Sequence, residues 1–237
     1  MDPRKPSKEQ ANAAYLESIR TTISMLAEDP YNEETQDPIK SFLIICEGKN
    51  TEPSYFRSFP IPSKLVKVEG GRNSKNSLVD YAIEQMNKEE NQGREVWCVY
   101  DFDFKPDEKE TQPQDFNSSI AKAAANGIKV AWSNDAFELW FVLHYHKLEG
   151  KQTREQLYAI LKEEWKLKSF HNEAKKDQFC KEMYNRIGGS KSESQRLAIR
   201  RAKELHESFK PRTDYSNHCS CTTVYLLVEE LNRHLED

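Results

Sequence analysis

Two short stretches of the chain are almost wholly apolar, and each runs directly into acidic residues. Phe42-Leu43-Ile44-Ile45-Cys46 leads to Glu47-Gly48, and Val96-Trp97-Cys98-Val99-Tyr100 leads to Asp101-Phe102-Asp103. An unbroken apolar run of about five residues reads as a strand buried on both faces, the habit of a parallel sheet. Two further runs are strand-like: Lys64-Leu65-Val66-Lys67-Val68 alternates, and Ile128-Lys129-Val130-Ala131-Trp132 follows Gly127. Helical spacing of Leu78, Tyr81, Ala82 and Met86 predicts a helix over residues 77–90. A second helix is predicted over 114–126, and a short helical turn over 54–59. The order β-α-β-α-β-α-β predicts right-handed crossovers and an α/β fold, a mainly parallel four-stranded sheet flanked by helices.

The flanks read differently. Ser7-Lys8-Glu9-Gln10 has capping-box form, and Tyr15, Leu16, Ile19, Ile23 and Leu26 recur at helical spacing, which predicts a helix over 8–28. A polar, acidic stretch from Pro30 to Pro38 reads as a linker. Gly70 to Lys75 reads as a flexible basic loop, and Pro106 and Pro113 mark another loop. Beyond the last strand, Phe137–Tyr145 is apolar enough for a buried helix. Thr153-Arg154-Glu155-Gln156 is a second capping box, opening a helix that reaches Trp165. Helices near 173–187, 191–209 and 222–235 complete the pattern. The expected organisation is an N-terminal helix and linker (1–38), an α/β core (39–148) and a C-terminal helical region packed on it (149–237).

Ligands in open α/β sheets bind beyond the carboxyl ends of the strands, which is where Glu47, Asp101 and Asp103 fall. Three carboxylates there repel one another unless a cation sits between them, and hard oxygen donors suit Mg²⁺ or Mn²⁺. In an extended segment Asp101 and Asp103 point to the same side, so both can reach one ion. Glu52 is a candidate to help hold metal, and Glu138, at the start of an apolar helix, a candidate ligand or general base. Each has a plainer reading: acids suit helix N-termini, and aspartates suit turns. His144, nearly two turns beyond Glu138, is a candidate for a phosphate or a transition state, or else a hydrogen-bonded core residue. Arg196, Arg200 and Lys203 share one helical face that either tracks a phosphate backbone or is simply solvated. Arg72 and Lys75, with the Gly-Gly pair, are a second phosphate-facing candidate.

Composition narrows the classes. The chain has 237 residues, 37% hydrophobic and 31% charged, with 11% aromatic. That is polar, yet sufficient for a core. No stretch is long and apolar enough to span a bilayer, and the first residues lack the apolar region of a signal peptide, so a cytoplasmic protein is expected. A net charge of −4 argues against a surface coated in positive charge, so any nucleic-acid contact is local. Cys219 and Cys221 beside His218 lack the second ligand pair of a zinc site.

Glu47-Gly48 after one strand with Asp101-x-Asp103 after another resembles the Toprim domain of topoisomerases, primases and related nucleases. The chain is more closely similar to the RloB family. The resemblance rests on Ile45-Cys46-Glu47-Gly48-Lys49-Asn50-Thr51-Glu52-Pro53-Ser54-Tyr55-Phe56, on Val99-Tyr100-Asp101-Phe102-Asp103, on the segment from Trp132 to His144, and on Cys221-Thr222-Thr223-Val224-Tyr225. It departs from the family pattern at Asp135-Ala136 and at Phe102, neither of which removes a carboxylate. RloB-like proteins are encoded near restriction or abortive-infection genes, often beside an ATPase of the ABC type. The resemblance implies a Toprim-like fold and a metal-dependent nuclease acting on DNA, tRNA or another RNA in antiphage defence, with such an ATPase as partner. The alternative is a non-catalytic sensor or adaptor of that ATPase, binding nucleic acid or a nucleotide. A haloacid-dehalogenase phosphatase also has Asp-x-Asp after a strand, but it expects a small hydroxyl residue where Lys105 stands.

Overall fold

A computed structural model of the protein describes residues 40–71, 75–108 and 110–235, together with Glu17. The expected helix over 8–28, its linker and Arg72 lie outside the described residues. Lys40–Asp237 form one compact unit.

The sheet has strands β1 (Ser41–Cys46), β2 (Val66–Glu69), β3 (Arg94–Asp101), β4 (Lys129–Asn134) and β5 (Cys221–Thr222). Their order is β2-β1-β3-β4-β5; the first four run parallel, and β5 pairs antiparallel with β4. The four-stranded expectation therefore gains an edge strand. β5 is two residues long, too short to carry a period of two. The helices are α1 (Thr51–Arg57), α2 (Lys75–Met86), α3 (Gln112–Ala125), α4 (Glu138–Tyr145), α5 (Arg154–Glu164), α6 (Phe170–Glu173), α7 (Asp177–Arg186), α8 (Glu193–Glu207) and α9 (Val224–Arg233).

β1 is apolar throughout because both of its faces are covered. Phe42, Ile44 and Cys46 pack with Trp97 and Val99 against a layer built from α1, α4 and the C-terminal helices. Leu43 and Ile45 pack with Cys98 and Tyr100 against α2 and α3. Phe42, Leu43, Ile44 and Ile45 are all fully buried, each burial contributing about 1.5–3 kcal/mol.

Several boundaries shift for local reasons. α2 begins at Lys75, so this residue leaves the expected loop and becomes the buried first residue of a helix. α3 begins at Gln112 with Pro113 inside its first turn, a position where a missing N–H costs nothing. β4 continues through Ser133 and Asn134, which sequence reading placed beyond it. Ser133 is tied to Thr222 of β5 by a 3.0 Å hydroxyl contact, and Asn134 donates to the Ser216 carbonyl at 2.8 Å. The helix expected near 173–187 is α7, which starts at Asp177, and a further short helix, α6, precedes it. No described helix is long and apolar enough to cross a membrane.

Candidate functional site

β1, β3 and β4 are adjacent and parallel, so their carboxyl ends share one rim of the sheet. Glu47 follows β1, its N–H donating to the Val99 carbonyl of β3 at 2.9 Å. Asp101 is the last residue of β3 and pairs with Ser133 of β4. The turn after β4 leads into α4, whose first residue is Glu138.

Asp103 reaches the rim by another route than the extended alternation expected. Its φ is +49°, a left-handed conformation that aspartate tolerates better than most residues. Its N–H donates to the Asp135 carbonyl at 2.9 Å. The chain thus turns sharply at Asp103 while its carboxylate still faces the same cavity as Asp101.

That cavity measures about 340 Å³ and is lined by all five candidate acids, Glu47, Glu52, Asp101, Asp103 and Glu138. Arg154, Tyr158, His171 and Lys175 also line it. Glu52 and Glu138 stand in the first turns of α1 and α4, where the helix dipole favours negative charge. The Trp140 indole N–H donates to the Tyr55 hydroxyl at 2.9 Å, locking α4 against α1 within a turn of each acid. Gly48 lets the Glu52 carboxylate lie against the backbone, in space that a Cβ would take.

Burial dominates the electrostatics. It raises the carboxyl pKa of Glu47, an effect opposed by Lys75 and by the Asp101 backbone. It pushes Glu52 up to about 7, with Glu138 and Glu47 adding repulsion. Asp101 lies well above its usual range through burial and then the charge of Glu52, and burial also raises Glu138. Two cations answer these acids. Lys75 Nζ lies 3.6 Å from Glu47 Oε1. The Arg154 guanidinium reaches Asp103 Oδ1 with Nη1 at 2.7 Å and Asp101 Oδ2 with Nη2 at 3.4 Å. Burial works against the charge on Arg154, and Asp101, Asp103 and Glu138 favour it.

The residues fit a divalent cation in donor chemistry. Five carboxylates offer hard oxygen, and Asp101 Oδ1 is buried without a hydrogen-bond partner, a costly state for a carboxylate oxygen that no ion relieves. In their arrangement, with Arg154 between Asp101 and Asp103, no group of three acid, histidine or cysteine side chains among the described residues is ready to hold a metal.

The other candidates lie elsewhere. His144 is buried near the opposite end of α4 from Glu138, with Nδ1 2.9 Å from the Trp140 carbonyl and its ring edge-on to Trp140. It is a core residue outside the cavity lining. Arg196, Arg200 and Lys203 are exposed on α8 and do not line the cavity either. Arg196 donates to the Lys191 carbonyl, and Lys203 pairs with Glu229 at 2.6 Å. Lys75 stands at the rim, bound to Glu47 rather than presented in a loop. Cys219 and Cys221 are free thiols.

Sequence reading missed Arg154. A signal was present: it is the first residue of a capped helix, where the macrodipole disfavours a cation. Lys75 breaks the same rule at the start of α2. Both violations are resolved by acids of the rim.

The family model described as RloB-like protein matches residues 42–231, from β1 to α9. No curated protein and no solved structure matches the chain.

Proposed function

The chain belongs to the RloB-like family, and we propose on that premise that it is a divalent-metal-dependent hydrolase of nucleic-acid phosphodiesters, with Glu47, Asp101 and Asp103 holding Mg²⁺ or Mn²⁺. One observation carries the reading: acids at the ends of β1, β3 and β4 are gathered in one cavity, and such crowding of like charges is costly unless a cation compensates it. A bound ion supplies positive charge to the phosphoryl oxygens, where negative charge develops in hydrolysis.

The chain's own groups account for the remaining work. Lys75 fixes Glu47 at the end of β1. Arg154 aligns Asp101 with Asp103, and its planar fork suits a phosphate as well as a carboxylate. Glu52, which lines the same cavity, takes a proton from the attacking water, whose oxygen bonds to phosphorus as the ester oxygen leaves and is protonated by solvent. Glu138 lends further negative charge at the start of α4. Service as an antiphage effector, on DNA or RNA and with an ABC-type ATPase as partner, rests on the family resemblance.

A second reading is a non-catalytic adaptor of that ATPase. The ion pair of Arg154 with both aspartates favours it, since this cation already compensates two of the acids. The test is the Asp101→Ala/Asp103→Ala protein, assayed with its partner ATPase on DNA and RNA in Mn²⁺, beside calorimetric titration of Mg²⁺ and Mn²⁺. The nuclease reading expects cleavage and ion binding to vanish together. Full cleavage by the double variant overturns it, and a wild-type protein that binds no ion selects the adaptor.

A further inference from the structure

Among the described residues two large apolar side chains are exposed, Phe104 and Leu226. Phe104 is 50% exposed and stands directly after Asp103, while Phe102, on its other side, is 6% exposed. A single exposed aromatic is ordinary on a protein surface. This one is held outward by a tightly bonded loop. The Phe104 N–H donates to Asp135 Oδ1 at 2.7 Å. Buried Gln112 donates from Nε2 to the Phe102 carbonyl at 2.9 Å and to the Asp103 carbonyl at 2.6 Å, and its Oε1 accepts from the Lys105 N–H at 2.9 Å. The left-handed turn at Asp103 then sends carboxylate and ring to different sides.

On the ring's side is a second cavity of about 250 Å³. Phe102 and Phe104 form one wall, their rings tilted by 30° with centroids 6.2 Å apart. Gln152 adds an amide to the lining and exposed Lys151 stands at its edge, while Asn134 and Ser216 are bonded within the protein, Asn134 to the Ser216 carbonyl and the Ser216 hydroxyl to Asn117. The partition between the two cavities is one backbone thick. Asp103 lines the acidic cavity, and its neighbours Phe102 and Phe104 line this one. Arg154 lines the acidic cavity, and Thr153 lines this one. Asp135 joins the two segments, its Oδ2 accepting from the Arg154 N–H at 3.3 Å.

We infer that the cavity beside Phe104 is a subsite for one unpaired nucleobase of a nucleic-acid strand whose phosphate lies at the acidic cavity, with the base stacked on the Phe104 ring. The inference rests on the phosphodiester reading above and names its substrate: single-stranded or locally opened DNA or RNA. A flat aromatic serves any base by its π-face, and Gln152 and Lys151 of the lining offer polar contacts to a base edge. A cavity of about 250 Å³ suits one base, and a base stacked on Phe104 has to leave the stack of its own strand, so single strands are favoured over an intact duplex. A protein partner for Phe104 is the competing occupant, and the experiment below separates them.

Short fluorescein-labelled single strands of DNA and of RNA are titrated by anisotropy in EDTA, so that no cleavage and no divalent ion enters the readout. The proteins are wild type, Phe104→Ala and Phe104→Trp, each checked by thermal melting. Loss of one stacked base weakens binding by about tenfold. We expect that loss for Phe104→Ala, near wild-type affinity for Phe104→Trp, and the same tenfold loss when wild type meets an abasic strand. Phe104→Ala on the abasic strand loses nothing further. The DNA and RNA arms show which sugar is preferred. Wild-type affinity for Phe104→Ala, an equal penalty on normal and abasic strands, preference for intact duplex, or no binding of any strand overturns the inference. Failure here leaves ion binding by Asp101 and Asp103 untouched, and failure of the ion titration leaves the stacking result standing.

Discussion

Arg154 stands 2.7 Å from Asp103, and the same guanidinium reaches Asp101 at 3.4 Å. One cation thus serves both acids of the Asp-x-Asp motif. It comes from the first turn of a helix 53 residues from Asp101 in sequence, and its position is set by the capping box of Thr153 and Gln156. Removing such a partner leaves two carboxylates facing each other.

Arg154→Ala is therefore expected to destabilise the metal-free protein. Breaking a buried pair costs about 3–5 kcal/mol, and partial exposure of Arg154 and Asp103 reduces this to roughly 1–3 kcal/mol. Mg²⁺ then recovers more stability in the variant than in the wild type, since it compensates the same acids. Thermal melts with and without MgCl₂ measure both effects. Equal Mg²⁺ gains in the two proteins count against an ion at these aspartates.

The raised carboxyl groups give a pH signature. Glu52 has an ordinary value of 4.5 and stands at about 7 when folded. A carboxyl raised on folding contributes stability below its unfolded pKa and loses that contribution as pH rises through the folded one. The metal-free protein thus forfeits stability at this site between about pH 4.5 and 7, and the melting-temperature gain from Mg²⁺ grows across that window. Glu52→Gln flattens the growth, because an amide has no proton to lose. A gain independent of pH in the wild type contradicts the assignment.

His144 acts in the opposite sense. Burial holds its pKa down to about 4 against an ordinary 6.5. A base depressed on folding contributes stability above its unfolded pKa and loses it as pH falls toward the folded value. The loss from pH 6.5 to 4 approaches ~3 kcal/mol for a shift of this size. Urea denaturation of wild type and His144→Gln at pH 7 and pH 5 tests it. The variant has a shallower acid limb, and parallel limbs exclude a buried neutral imidazole.

The apolar runs made β1 and β3 legible because burial on both faces leaves no polar position to blur the pattern. Their ends fixed where acids gather, so Glu47 and Asp101 were legible with them. β5 was not, since two residues show no period. Lys75 was singled out, but as a phosphate-facing loop residue: Gly70-Gly71 read as a loop, which hid the helix that begins at Lys75 and its pairing with Glu47. The turn at Asp103 was unreadable for another reason. It is imposed by bonds to Asp135 and Gln112, contacts that no local pattern encodes. Arg154 left a trace only as a cation placed against a helix dipole.

Gly48 offers a test that separates the site from the fold. A Cβ at this position collides with the Glu52 carboxylate, the far end of a flexible side chain, and with no backbone atom among the nearest three. The side chain can swing aside, so Gly48→Ala is expected to fold with a stability change of less than about 1 kcal/mol, the scale of a glycine-to-alanine change without backbone strain. Glu52 is nevertheless displaced from the cavity. Mg²⁺ affinity and the pH-dependent melting gain assigned to Glu52 should fall together, reproducing Glu52→Gln. Combining the two substitutions should add little, because both act on one carboxylate. Calorimetry on the single and double variants decides it: losses that add in full place Gly48 and Glu52 in separate roles.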